Sequence, residues 1–189
     1  MSNNLITIYL HQYLNLHFFE VFLMTFTDYL NYISKIHNSD FSLKENYFLL
    51  NETYNLFGYS KFTLGRTFIS QKDIIDRYDS HEYILLKYLP NITENDLNNI
   101  INTLPKLTTA LVKPDKFHKS TYITYILATD SLSSSIKLNE IKNFKDNRVY
   151  KWYFQGFSEV RLLLIDLSSH FMVCNKPGQK VSKMYLPAS

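Results

Sequence analysis

From Leu5 to Ile36 the chain is strongly apolar, and polar residues at Thr7, His11, Asn15, Glu20, Thr27, Asp28, Asn31 and Lys35 recur mostly at spacings of three, four and seven. That spacing predicts one long helix or two, with Phe18, Phe19, Phe22, Leu23, Phe26, Leu30 and Ile33 on a broad buried face. His11, Gln12, Asn15, His17, Glu20 and Asp28 break the apolar run well short of a membrane span. The leader Ser2-Asn3-Asn4 lacks the positive charge of a secretory signal, so the chain reads as soluble and cytoplasmic, with no membrane partner.

Further helices are expected from their caps. Ser42 with Glu45 has capping-box spacing, and Gly58 suits the left-handed residue that ends a helix. Thr93 with Asp96 repeats the start signal, with Leu97, Ile100, Ile101 and Leu104 as the apolar stripe and Pro105 as the stop. Ser70 to Tyr88 reads as one broken or two short helices. The first 110 or so residues are therefore expected to be mainly helical.

After Pro114 the period changes. His118 to Thr129 is rich in Thr, Tyr and Ile, as strands are, and Lys137 to Phe144 suggests a short helix or an irregular connection. Arg148 to Gln155 alternates, which predicts a half-buried strand with Tyr150, Trp152 and Phe154 on one side and Lys151 and Tyr153 on the other. Glu159 to Leu167, Phe171 to Cys174 and Lys180 to Leu186 supply further strands, the last after the turn signal Asn175-Lys176-Pro177-Gly178. Short connections favour antiparallel pairing. The expectation is one α+β domain over 1–189: a helical N-terminal half, about 1–110, packed on a C-terminal antiparallel sheet of four or five strands, about 115–189.

Composition sharpens this only in places. With 189 residues, 46% hydrophobic and 16% aromatic, the chain can build a sizeable core. The net charge of +3 is divided unevenly, with −4 up to Leu104 and +7 from Pro105 onward. One cysteine, Cys174, excludes an intramolecular disulfide and fits a reducing compartment. Four glycines cannot make a dinucleotide or triphosphate loop, and the six histidines include no zinc-protease pair, so no cofactor and no metal is expected.

Local constellations have ordinary explanations. His17 and Glu20 could pair on a helix face, and Asp73, Asp76 and Asp79 with His81 and Glu82 would decorate a solvated helix beside Lys72 and Arg77. His170 and Cys174 on one strand would lie about 13 Å apart, too far to act as base and nucleophile. No catalytic residue is assigned. What remains is a surface: Lys142, Lys145, Arg148, Lys151 and Arg161 gather around the expected strands with Tyr153 among them.

The reading that follows is a small non-catalytic protein-binding module, such as an inhibitor or immunity protein that neutralises a bacterial toxin by direct binding. The alternative is a single-stranded nucleic-acid-binding protein in which those cations meet phosphates and rings stack on bases. An enzyme whose site is assembled from distant residues is the third.

Overall fold

The computed structural model describes residues 24–67, 74–134 and 136–187. Its centre is a seven-stranded mixed sheet, not the antiparallel C-terminal sheet that the sequence suggested. Strands β1 (Ser42–Leu49), β2 (Glu52–Thr67) and β3 (Ile74–Tyr88) form an antiparallel meander. Next to β3 lie β5 (His118–Thr129) and then β8 (Phe157–Asp166), each parallel to its predecessor in the sheet. The far side of β8 carries two short antiparallel partners, β7 (Asn147–Val149) at its start and β9 (Phe171–Cys174) at its end. A separate two-residue parallel pair joins β4 (Asn91–Ile92) to β6 (Ser131–Leu132).

Helices cover both faces. On one, α1 (Phe26–His37) buries Tyr29 and Ile33 against Leu56, Ile84, Leu86, Ile126, Leu163 and Ile165, and the Tyr29 hydroxyl donates to the Tyr185 carbonyl at 2.9 Å. Tyr185 closes the last helix, α4 (Ser182–Tyr185), in place of the expected strand over Lys180 to Leu186. On the other face, α2 (Glu94–Leu111) inserts Leu97, Ile100, Leu104 and Leu107, and α3 (Leu138–Asn143) adds Ile141, over Phe57, Leu85, Ile123, Leu127, Val160, Leu162 and Leu164. The parallel pairings are possible because residues 89–117 and 130–156 are long enough to cross over, each carrying a helix.

The expected helices at Ser42 to Leu56 and within Ser70 to Tyr88 are strands. Ser42 begins β1 instead of capping a helix, and Gly58 sits inside β2, where an added Cβ would come within 3.0 Å of Leu43 Cδ2. Leu50 and Asn51, at φ 52° and 63°, form the two-residue turn that brings Leu49 opposite Glu52. Both central residues take positive φ, as in the primed turns that match strand twist.

The capping box of α2 is present: Asp96 N donates to Thr93 Oγ1 at 3.2 Å, and Thr93 N donates to Asp96 Oδ2 at 3.0 Å. Yet α2 runs through Pro105 to Leu111. Proline removes one backbone donor, and side chains brace the helix around it: Thr109 Oγ1 and Arg148 Nη2 donate to Pro105 O at 3.0 and 2.6 Å. The strands expected at His118 to Thr129, Glu159 to Leu167 and Phe171 to Cys174, and the helix near Lys137 to Phe144, are all found. The expected helix over Leu5 to Ile36 is described only from Phe26, and its earlier part, with His17 and Glu20, lies outside the described residues.

Candidate binding surface

The connection from β7 to β8 is the most unusual surface of the described molecule. The strand expected over Arg148 to Gln155 stops at Val149, and residues 150–156 form a closed tip. Tyr150 N donates to Gly156 O at 3.0 Å and Gln155 N to Tyr150 O at 3.1 Å, while Phe154 N reaches Lys151 O and Gly156 N reaches Tyr153 O, both at 3.0 Å. This turn places Lys151, Trp152 and Tyr153 consecutively at φ 44°, 53° and 70°. A residue with a Cβ costs about 1–2 kcal/mol there, so three in a row store on the order of 3–6 kcal/mol.

What the strain presents is aromatic. Trp152 is 91% exposed, Phe154 84% and Tyr153 69%, so the alternation that put Trp152 and Phe154 on one side of a half-buried strand and Tyr153 on the other does not hold here. Their rings together offer about 600 Å² of surface, the size of the largest apolar patch on an ordinary monomer.

The base of the tip is rigid. Gly156, at φ 68°, lies so close to β5 that a Cβ would stand 2.2 Å from the Lys119 carbonyl oxygen. The Gln155 carbonyl can only accept, so His118 donates to it from Nδ1 at 2.6 Å. In the neutral ring this leaves Nε2 to accept from Thr121 Oγ1 at 2.8 Å. Tyr150 lies edge-on to the His118 ring, and its hydroxyl shares a 2.9 Å hydrogen bond with Ser158 Oγ.

Behind His118 the polar row continues across the sheet. His81 stacks on His118 with ring centroids 5.9 Å apart and pairs with the Tyr59 hydroxyl through Nδ1. Burial lowers the pKa of His81, and the nearby Lys61 ammonium lowers it further. Asp79, 4% exposed, accepts from Lys61, Thr63 and Arg77. Burial alone would raise its pKa, but the hydrogen bonds from Lys61, Thr63 and Arg77 and the guanidinium charge hold it well below the usual carboxylate range. Asp79 is therefore a buried strand residue, not part of an acidic helix surface, and Asp73 lies outside the described residues. Among the described residues no three metal-ligating side chains converge.

The six surface residues singled out in the sequence do not form one patch. Lys151 and Tyr153 belong to the tip. Lys142 is exposed on α3, and Lys145 lines a hollow of about 690 Å³ with Asn147, Glu159, Lys176, Pro177 and Lys180. Arg148 is committed inward. Its Nε donates to the buried Asp146 at 2.8 Å and its Nη1 to Thr109 Oγ1 at 2.8 Å, which bolts β7 to α2. Arg161 is also turned in, with an 11% exposed side chain and its guanidinium 4.2 Å from the Tyr122 ring centroid. Beside the tip, a shallow groove of about 480 Å³ is lined by the β7–β8 pair and Tyr153, with Val149 and Phe157 among its walls.

A family model matches residues 25–187, from the N-cap of α1 to just past α4. The chain belongs to the family of the domain of unknown function DUF8052. The matched family domain spans every described element, including the aromatic tip. No curated protein and no solved structure matches the chain. No helix among the described residues is long and apolar enough to cross a membrane.

Proposed function

We propose that this DUF8052 member is a non-catalytic binding module that docks a protein partner through the β7–β8 tip. The reading is carried by three consecutive large aromatic side chains, 69–91% exposed, of which Trp152 and Tyr153 stand on backbone held in the left-handed region. Strain of this kind persists only where the surroundings impose it, and rigid Trp and Tyr side chains are the commonest anchors of protein interfaces. The rings and the adjoining groove supply most of the roughly 800 Å² that one side of a standard interface needs. Inhibition of a toxin by direct binding is one form such an activity takes.

The exposed rings also favour a second reading, stacking on single-stranded nucleic acid. Phosphate binding draws on several free cations, however, and Arg148 and Arg161 are spent inside the protein, leaving Lys151 as the one cation of the tip itself.

The test compares wild type with Trp152→Ala/Phe154→Ala in recovery of interacting molecules from the native cells at low and high salt. One protein recovered in stoichiometric amount by wild type and lost by the variant, with unchanged circular dichroism, supports docking. Nucleic acid recovered with a steep salt dependence moves the assignment to the second reading. A blue shift of Trp152 emission on anionic vesicles, which the sole tryptophan reports directly, would overturn both.

A further inference from the structure

Strands β3, β5 and β8 are parallel, so the aromatic tip, which leads into β8, lies at the same end of the sheet as the start of β3. There β3 pairs with β5 only from Asp79 onward, whereas its pairing with β2 reaches back through Tyr78 to Ile74. The ends of β2 and β3 therefore stand beyond the rest of the sheet as a two-stranded ribbon. Alternation puts Phe62 and Leu64 of β2 and Tyr78 of β3 on the face that α1 covers at Leu56, Ile84 and Leu86, but past the end of that cover. They are 46%, 58% and 44% exposed. Ribbon and tip meet at Lys119, whose carbonyl oxygen leaves no room for a Cβ on Gly156 and whose ammonium stands 5.9 Å from the centre of the Tyr78 ring. Nearby, the Lys116 ammonium lies 4.7 Å from the centre of the Phe117 ring. Both lysines are exposed, and neither pairs with a carboxylate among the described residues. The acidic groups beside them are committed elsewhere: Asp79 accepts from Lys61, Thr63 and Arg77, and Asp115 from the Phe117 and His118 amides.

We infer, resting on the reading that the tip docks a protein, that the docked protein also lies across the β2–β3 ribbon through an acidic segment. Its carboxylates meet Lys116 and Lys119, and the apolar side chains between them cover Phe62, Leu64 and Tyr78. The area fits: the three ribbon side chains expose about 250 Å², which with the tip rings reaches the roughly 800 Å² that one side of a standard interface needs. The sign of the charge follows from two uncompensated ammonium groups at the border of an apolar surface, which attract an acidic partner and fix its orientation. A nucleic-acid strand is a poorer match, because its outer surface is phosphate and offers Leu64 nothing apolar to bury against.

A photo-cross-linking amino acid in place of Leu64, in the native cells, tests this beside the same group at Trp152. The expected result is one protein joined at both positions. Mass spectrometry of the peptide joined at position 64 should show a segment with more Asp and Glu than Lys and Arg. Lys116→Glu/Lys119→Glu should lower recovery of that protein at least about tenfold, and Lys116→Gln/Lys119→Gln should lower it less while flattening its salt dependence, both with unchanged circular dichroism. Position 64 joined to nothing, to another molecule or to nucleic acid, while position 152 keeps its protein, would overturn the inference and leave docking at the tip standing. A basic segment at position 64, or undiminished recovery by the Glu variant, would overturn it in the same way. No protein at either position would remove both.

Discussion

Replacing Trp152 with glycine separates a side chain kept for docking from one kept for folding. At φ 53° and 91% exposed, Trp152 costs the folded state about 1–2 kcal/mol in backbone strain, which glycine relieves. Against this, glycine frees the unfolded chain by about 0.5–1 kcal/mol. The small buried fraction of the indole, about 20 Å² of a side chain near 200 Å², contributes about 0.5 kcal/mol more. The terms nearly cancel, so Trp152→Gly should leave stability between about 0.5 kcal/mol lower and about 1 kcal/mol higher, a change in Tm of no more than about 4 °C for a chain of this size. Thermal unfolding followed by far-ultraviolet circular dichroism measures it, because the substitution removes the only tryptophan. Partner affinity should fall at least about 30-fold, the loss expected for an interface anchor worth about 2 kcal/mol or more. A tryptophan packed in a core would instead cost about 3–5 kcal/mol when lost. A fall in Tm of more than about 5 °C would show that the indole supports the fold, and the argument from exposure would fail.

Two further outcomes follow from the structure. Gly156→Ala places a Cβ 2.2 Å from the Lys119 carbonyl oxygen at φ 68°, so it should destabilise the protein by more than about 2 kcal/mol in urea unfolding, with loss of the His118–Gln155 hydrogen bond. His37 is 4% exposed between Phe41 and Tyr185, and burial lowers its pKa despite the opposing charge of Asp40. The unfolded state therefore binds the proton first, so stability should hold above about pH 6.5 and decline as pH falls below that value, and His37→Phe should flatten the decline in a series of unfolding curves.

Individual strands of the C-terminal half were legible, though not their pairing: Thr, Tyr and Ile crowd His118 to Thr129, and polar or turn residues flank Phe157 to Asp166. The sequence also holds a signal for parallel pairing. Ile123 to Ala128 and Leu162 to Ile165 are nearly continuous apolar runs, as strands buried on both faces must be. The meander was missed for another reason. Ser42 and Glu45 share the spacing of a helix cap but stand on an edge strand, where Lys44, Glu45 and Asn46 are exposed. Local spacing could not show that Tyr47 stacks on Phe57, 4.2 Å away across a strand pair. At the tip, alternation alone suggested a half-buried strand through Gln155, whereas the backbone turns at Lys151 and carries the rings outward. The approach of Lys119 to Tyr78 depends on strand order and had no signature along the chain.

The docking claim is tested most directly by placing a photo-cross-linking amino acid at Trp152 in the native cells, with the same group at exposed Asn98 on α2 as control. The account predicts one protein joined covalently at position 152 and absent at position 98. The same products from both positions, or none from position 152, would contradict it.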